Sequence, residues 1–283
     1  MTLLAKRSFR FVSSFRCGIY MTMLSYPSIN PTIVKLGPIQ IRWYGVMYIL
    51  GFTASYLLVK YQIRKKRLGI DSNVINDLFL YLIIGLIVGA RFGYVVFYNL
   101  AFYYSHPLKL LAVWEGGMSF HGGLIGIVLS GIIFVRKQRI DFWQLADLIA
   151  VTAPIGLGLG RLGNFINAEL YGRVTSLPWG MVFPAGGDLP RHPSQLYEFF
   201  LEGILLFAIL WRIKDFPLTK GALFCIFVML YGIIRFFVEF FREPDPQIGF
   251  IFSFLTMGQI LSILMVIVGL VLIYARTRAE KTG

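Results

Sequence analysis

Charge is what this 283-residue chain has least of. Only 14% of its residues are Asp, Glu, Lys or Arg, against about 25% in an ordinary soluble domain. With 57% of residues hydrophobic and apolar runs near or above the roughly 20 residues that cross a bilayer as a helix, this scarcity excludes a soluble globular protein. Alternating strands of about ten residues are missing, which removes a membrane β-barrel. Cysteine is limited to Cys17 and Cys225. Neither lies in a CxxC or beside a histidine, so metal and redox chemistry are poor fits, and Cys225, inside an apolar helix, reads as a small buried hydrophobe. Internal repeats, low-complexity tracts and ATP or dinucleotide loops are also missing. Gly156, Gly158, Gly160 and Gly163 fall within a span, where they thin a helix for packing. No metal and no cofactor is expected.

What is present is a basic, apolar chain of net charge +13. Its cations mostly cap apolar segments, where they orient helices and touch anionic lipid, so no nucleic-acid partner is expected. The pattern predicts an all-α polytopic membrane protein with about seven spans, at about 43–60, 74–98, 119–135, 142–160, 197–213, 220–241 and 256–275. Fourteen Lys and Arg fall in Lys60–Arg67, Arg136–Arg139, Arg212–Lys220 and the tail from Arg276; the alternate connections hold only Lys109, Arg161, Arg173, Arg191 and Arg242. The positive-inside rule then puts the N-terminus outside, the C-terminus in the cytoplasm, and the loop at about 161–196 outside as a small extracytoplasmic cap. Residues 1–22, basic and acid-free, read as an N-terminal extension or over-annotated start, and 23–283 as one transmembrane domain.

Ionisable groups at membrane depth are costly unless they pair or meet a polar ligand. The densest set is Gly160–Gly172. There Arg161 offers a planar fork suited to phosphate, Asn164 and Asn167 offer neutral donors and acceptors, and Glu169 could hold Arg161 or accept a proton. His121, flanked by glycine at Gly122 and Gly123, sits where the chain enters its third span; an imidazole there can take a proton. In Pro190–Glu198, Ser194 looks like an N-cap. Glu198 and Glu202 share a helix face, with too few histidines nearby for a metal site. Arg235 and Glu239 lie one turn apart inside an apolar span, which points to a polar cavity, whereas Arg242–Asp245 reads as an interfacial helix end. Tyr44 fits an aromatic belt or an inward phenol. Arg91 is a candidate for phosphate binding or helix pairing, and Asp147 for capping.

These groups converge on the outer half of the membrane and are rich in Arg and His, which suits an anionic headgroup better than a cation path. Taken in order and spacing, Gly160–Gly172, His121–Gly123, Arg191–Glu198 and Arg235–Glu239 resemble bacterial prolipoprotein diacylglyceryl transferase from about Tyr26 to Thr277. The chain departs from that pattern in its N-terminal extension and in a short loop between Phe183 and Arg191. The resemblance implies an inner (cytoplasmic) membrane enzyme that moves the diacylglyceryl group of phosphatidylglycerol to the lipobox cysteine of a prolipoprotein signal peptide, releasing glycerol 1-phosphate. It maps essential positions onto Tyr44, His121, Arg161, Asn164, Glu169, Gly172, Arg235 and Glu239. In that scheme Arg161 and Arg235 hold the phosphate and His121 takes the proton. Asn164 and Tyr44 bind headgroup oxygens, Glu169 and Glu239 orient the arginines, and Gly172 permits close backbone approach. A lipid transporter and a non-catalytic lipid-binding scaffold are the alternatives; thiol-dependent transfer would separate them from the enzyme.

Overall fold

The computed structural model describes residues 24–37, 39–244, 250–251 and 254–282; the expected extension 1–22 and Cys17 lie outside the described residues. After β1 (Leu24–Ser25), β2 (Thr32–Leu36) and β3 (Ile39–Arg42), the chain enters α1 (Trp43–Lys66), α2 (Ser72–Tyr98) and the short α3 (Leu100–Ser105). Then come α4 (Phe120–Gln138), α5 (Phe142–Ile166), β4 (Met181–Val182), α6 (Ser194–Glu198) and α7 (Leu206–Ile213). The chain ends with α8 (Ala222–Val238), β5 (Phe250–Ile251), β6 (Leu255–Thr256) and α9 (Met257–Thr282). The strands form three separate pairs, so the described residues contain no closed sheet.

Five helices (α1, α2, α4, α5 and α9) are long and apolar enough to cross a membrane. The other two expected spans take different forms. The sixth is the shorter helix α8. The fifth is broken: α6 and α7 are joined by a π-helical stretch, Phe199–Leu205, a local irregularity frequent at functional sites. Three helix starts carry side-chain caps: Asp71 accepts from Asn73 N, Ser119 from Gly122 N and Asp141 from Gln144 N. The capping role expected of Ser194 is not seen; its Oγ donates to Leu170 O at 3.1 Å and ties the cap to α6. Asp147 does cap, accepting from Gly221 N at 2.7 Å and Phe224 N at 2.9 Å at the start of α8.

In lipid, helices associate through close packing of small residues. α2 lies so near α4 that a Cβ on Gly89 would meet Gly122 O and one on Gly126 would meet Gly85 O. Val59, Leu78, Phe134 and Leu148 close the core of α1, α2, α4 and α5. α5 approaches the π-helical stretch in the same way, with a Cβ on Gly158 falling 2.9 Å from Gly203 Cα. The span expected to end at 160 continues as helix to Ile166, so Arg161 and Asn164 stand on α5 rather than in a loop. The helix stops where Ala168 turns left-handed, at φ 55°, and Glu169 N reaches back to Asn164 O at 3.1 Å. Tyr26 Oη lies 2.8 Å from both Phe165 O and Ile166 O, supplying a donor to carbonyls that a helix end leaves open.

Candidate functional site

Where α5, α6, the π-helical stretch and the end of α8 meet, three arginines and three glutamates interlock. Glu198 and Glu202 are fully buried. Arg161 Nε lies 2.7 Å from Glu198 Oε2 and 3.9 Å from Glu202 Oε2. Arg235 Nη1 lies 2.9 Å from Glu198 Oε2 and 3.5 Å from Glu202 Oε1, while its Nη2 holds Glu239 at 2.7 Å. Arg242 approaches Glu198 at 3.4 Å and Glu239 at 3.6 Å. Glu239 is further fixed by Thr256 Oγ1 at 3.1 Å. Thr256 and Gln259 cap the start of α9 reciprocally, at 3.0 and 3.2 Å, the arrangement of a capping box.

The formal charges cancel, as buried charges must, but the donors are not used up. Arg161 meets both acids at its Nε; among the described residues no hydrogen bond occupies its terminal nitrogens, and its side chain is 21% exposed. The Arg235 fork is spent on Glu198 and Glu239. The terminal nitrogens of Arg161 and Nη2 of Arg242 carry no hydrogen bond among the described residues, and Arg235 shares its partner Glu198 with Arg161. Both carboxylate oxygens of Glu202 are buried without a hydrogen bond.

Beside Arg161, Asn164 Nδ2 donates to Glu169 Oε1 at 2.8 Å and Asn167 Nδ2 to the same oxygen at 3.1 Å. Glu169 thus orients the two asparagines. The expectation that it holds Arg161 is corrected: Glu198 holds it, from a helix the motif does not contain. Tyr44 packs its ring against Gly163, where a Cβ would fall 2.8 Å from Cδ2, and its hydroxyl lies 3.4 Å from that of Tyr48. Its phenol therefore sits on the segment of α5 that carries Arg161 and Asn164.

Gly172 has no room for a side chain, since a Cβ would strike Phe241 O and lie 2.8 Å from His192 Cβ. The close approach comes from the protein's own cap, in which Gly172 N donates to His192 O at 2.8 Å. His192 is buried, and that burial lowers its imidazole below the ordinary value. His121 lies apart from the cluster's contacts. It is exposed in the first turn of α4, with its ring edge-on to Phe120, and no hydrogen bond joins it to the arginines among the described residues. Arg91 is a second correction. Its guanidinium donates to the carbonyls of Lys109, Leu110, Ala112, Gly116 and Gly117, and it stacks over Tyr103 at 5.0 Å. It folds the connection before α4 and offers no free fork to phosphate.

Glu198, Glu202 and Arg242 were not assigned to the site from sequence. Their signal was the costly i,i+4 pair of acids at a span's start, which requires cations from elsewhere in the fold. Among the described residues, no group of three His, Cys, Asp or Glu side chains could hold a metal ion.

Comparison with known proteins follows this geometry. The family model described as "Prolipoprotein diacylglyceryl transferase" matches residues 31–275. A Desulfotalea psychrophila protein named "Phosphatidylglycerol--prolipoprotein diacylglyceryl transferase" is 51% identical over 267 residues, covering 92% of this chain and 98% of the relative. A Geobacter sulfurreducens protein of the same name is 53% identical over 260 residues, covering 92% and 100%. One from Francisella tularensis subsp. mediasiatica is 49% identical over 264 residues, covering 92% and 98%.

Proposed function

The chain belongs to the prolipoprotein diacylglyceryl transferase family, and from that premise we propose how this membrane transferase works and which residues serve it. The substrates are phosphatidylglycerol and a prolipoprotein whose signal peptide carries a lipobox cysteine. The thiolate attacks the glycerol carbon that bears the phosphate ester. A C–S bond forms, the C–O bond breaks, and glycerol 1-phosphate leaves with the bonding pair. The thiol proton goes to His121.

A cysteine thiol has a reference pKa of about 8.5, so the nucleophile needs a proton acceptor near neutral pH. The leaving phosphate gains negative charge as the bond breaks. A donor aimed at it therefore stabilises the transition state more than the ground state. Arg161 fills that role through its open terminal nitrogens, Glu198 and Arg235 fix its direction, and Asn164 and Tyr44 contact headgroup oxygens. The observation carrying this reading is the arginine of α5 whose Nε meets Glu198 while its terminal nitrogens carry no hydrogen bond among the described residues, within a charge-balanced network. In the bilayer the chain makes seven passes, with α6–α7 and α8 as the fifth and sixth. The alternation of fourteen against five basic residues supports an extracytoplasmic face for the site in a bacterial inner membrane.

The test is incubation with labelled phosphatidylglycerol and a lipobox peptide carrying Cys or Ser. Label transfer to the Cys peptide alone, with matching glycerol phosphate release, supports the transferase. Lipid movement without transfer would instead support a transporter. His121→Gln should lose most turnover and its dependence on pH; near-normal turnover would remove His121 as the proton acceptor.

A further inference from the structure

A cavity of about 230 Å³ opens between the end of α1, the start of α5 and the α7–α8 connection. Asp147 at its edge and Arg161 in the cluster are both on α5, fourteen residues apart. At 1.5 Å per residue the two sites are separated by about 21 Å along the helix.

The polar lining is Gln62, Lys66, Gln144, Asp147, Lys214 and Lys220, three cations against one acid. That acid is already engaged at the start of α8. Lys66 donates to Lys214 O at 2.6 Å, which leaves two of its ammonium protons. Lys214 shares Asp215 with Lys65, at 2.8 and 2.7 Å. The nearest acid to Lys220 is Asp141, at 3.7 Å. Gln62, only 1% exposed, donates to Leu148 O at 3.3 Å, yet its Oε1 is buried without a partner. An unmet acceptor among surplus ammonium donors calls for an anion that also carries a donor. Phe216 and Leu218 also line the cavity and are 53% and 42% exposed, which suits an occupant with an apolar body. Basic pockets between helix ends are suited to anionic headgroups.

We propose that this cavity binds a phosphate-bearing anion, the headgroup of an anionic phospholipid entering from the bilayer, at a site separate from the transfer centre. The full chain in uncharged detergent should gain melting temperature with short-chain phosphatidylserine and not with short-chain phosphatidylcholine. At about 1 kcal/mol per lysine, Lys220→Gln should raise the half-saturating concentration roughly 5-fold, and Lys66→Gln with Lys220→Gln roughly 30-fold. Arg161→Lys should leave it unchanged. Lys220 is exposed and its single variant should fold, so it decides the matter if the double variant does not. Inorganic phosphate reproducing the gain, with the same losses in the variants, would keep the site and assign it to a soluble anion. An equal gain with phosphatidylcholine, or equal half-saturation in wild type and Lys220→Gln, would overturn the proposal.

Discussion

Glu198→Gln is the most informative single perturbation of the cluster. The carboxylate is fully buried and lies 2.7, 2.9 and 3.4 Å from Arg161, Arg235 and Arg242. The substitution preserves shape but leaves three arginines facing two carboxylates. Breaking a buried pair by removing one charge costs about 3–5 kcal/mol. At roughly 2–4 °C per kcal/mol for a chain of this order of size, melting temperature should fall by about 10 °C. Arg161 loses its only short contact, and misplacing a positioning group by an ångström costs on the order of 100-fold in rate. Activity in detergent should therefore drop about 100-fold alongside stability. Glu169→Gln is the control: its amide oxygen still accepts from Asn164, so melting temperature should move far less. A Glu198→Gln protein with wild-type melting temperature and activity within threefold would refute the cluster as the support of Arg161.

Arg91→Lys should destabilise by about 2–4 kcal/mol, because lysine cannot serve five carbonyls and unmet buried acceptors cost about 1–3 kcal/mol each; KM for the lipid should stay unchanged, as kinetics on the folded fraction would show. Gly172→Ala should cost at least about 1–3 kcal/mol by overpacking against Phe241 and His192, seen as a lower melting temperature. His192 is held neutral by burial, so the unfolded chain binds the proton more readily. Its contribution is complete above the unfolded value of about 6.5 and is lost as pH falls towards the lowered folded value. Melting temperatures from pH 8 to 5 should fall more steeply for wild type than for His192→Gln.

Long uninterrupted apolar runs made α1, α2, α4, α5 and α9 legible in the sequence, because length and composition alone specify a spanning helix. The Arg235–Glu239 pair was equally legible, since i,i+4 spacing places both side chains on one face. The partners of Arg161 were not. Glu198 lies 37 residues away on a helix whose π-helical continuation packs Gly203 closely against Gly158. Local spacing also could not show that polar Gly160–Ile166 stays helical. It does so because Arg161 faces the buried carboxylates and Tyr26 serves the last carbonyls. Arg91 looked like an anion ligand because no local pattern reveals five carbonyls gathered by a folded connection.

The most direct measurement is transfer of labelled diacylglyceryl to a lipobox cysteine peptide by wild type and Arg161→Lys at saturating lipid. Lysine keeps the charge but loses the planar fork. The account predicts one thioether per glycerol phosphate in wild type. For the variant it predicts a kcat at least about 100-fold lower, equivalent to roughly 2.7 kcal/mol of lost transition-state stabilisation, with the fold intact. An Arg161→Lys enzyme that transfers within threefold of the wild-type rate would contradict it.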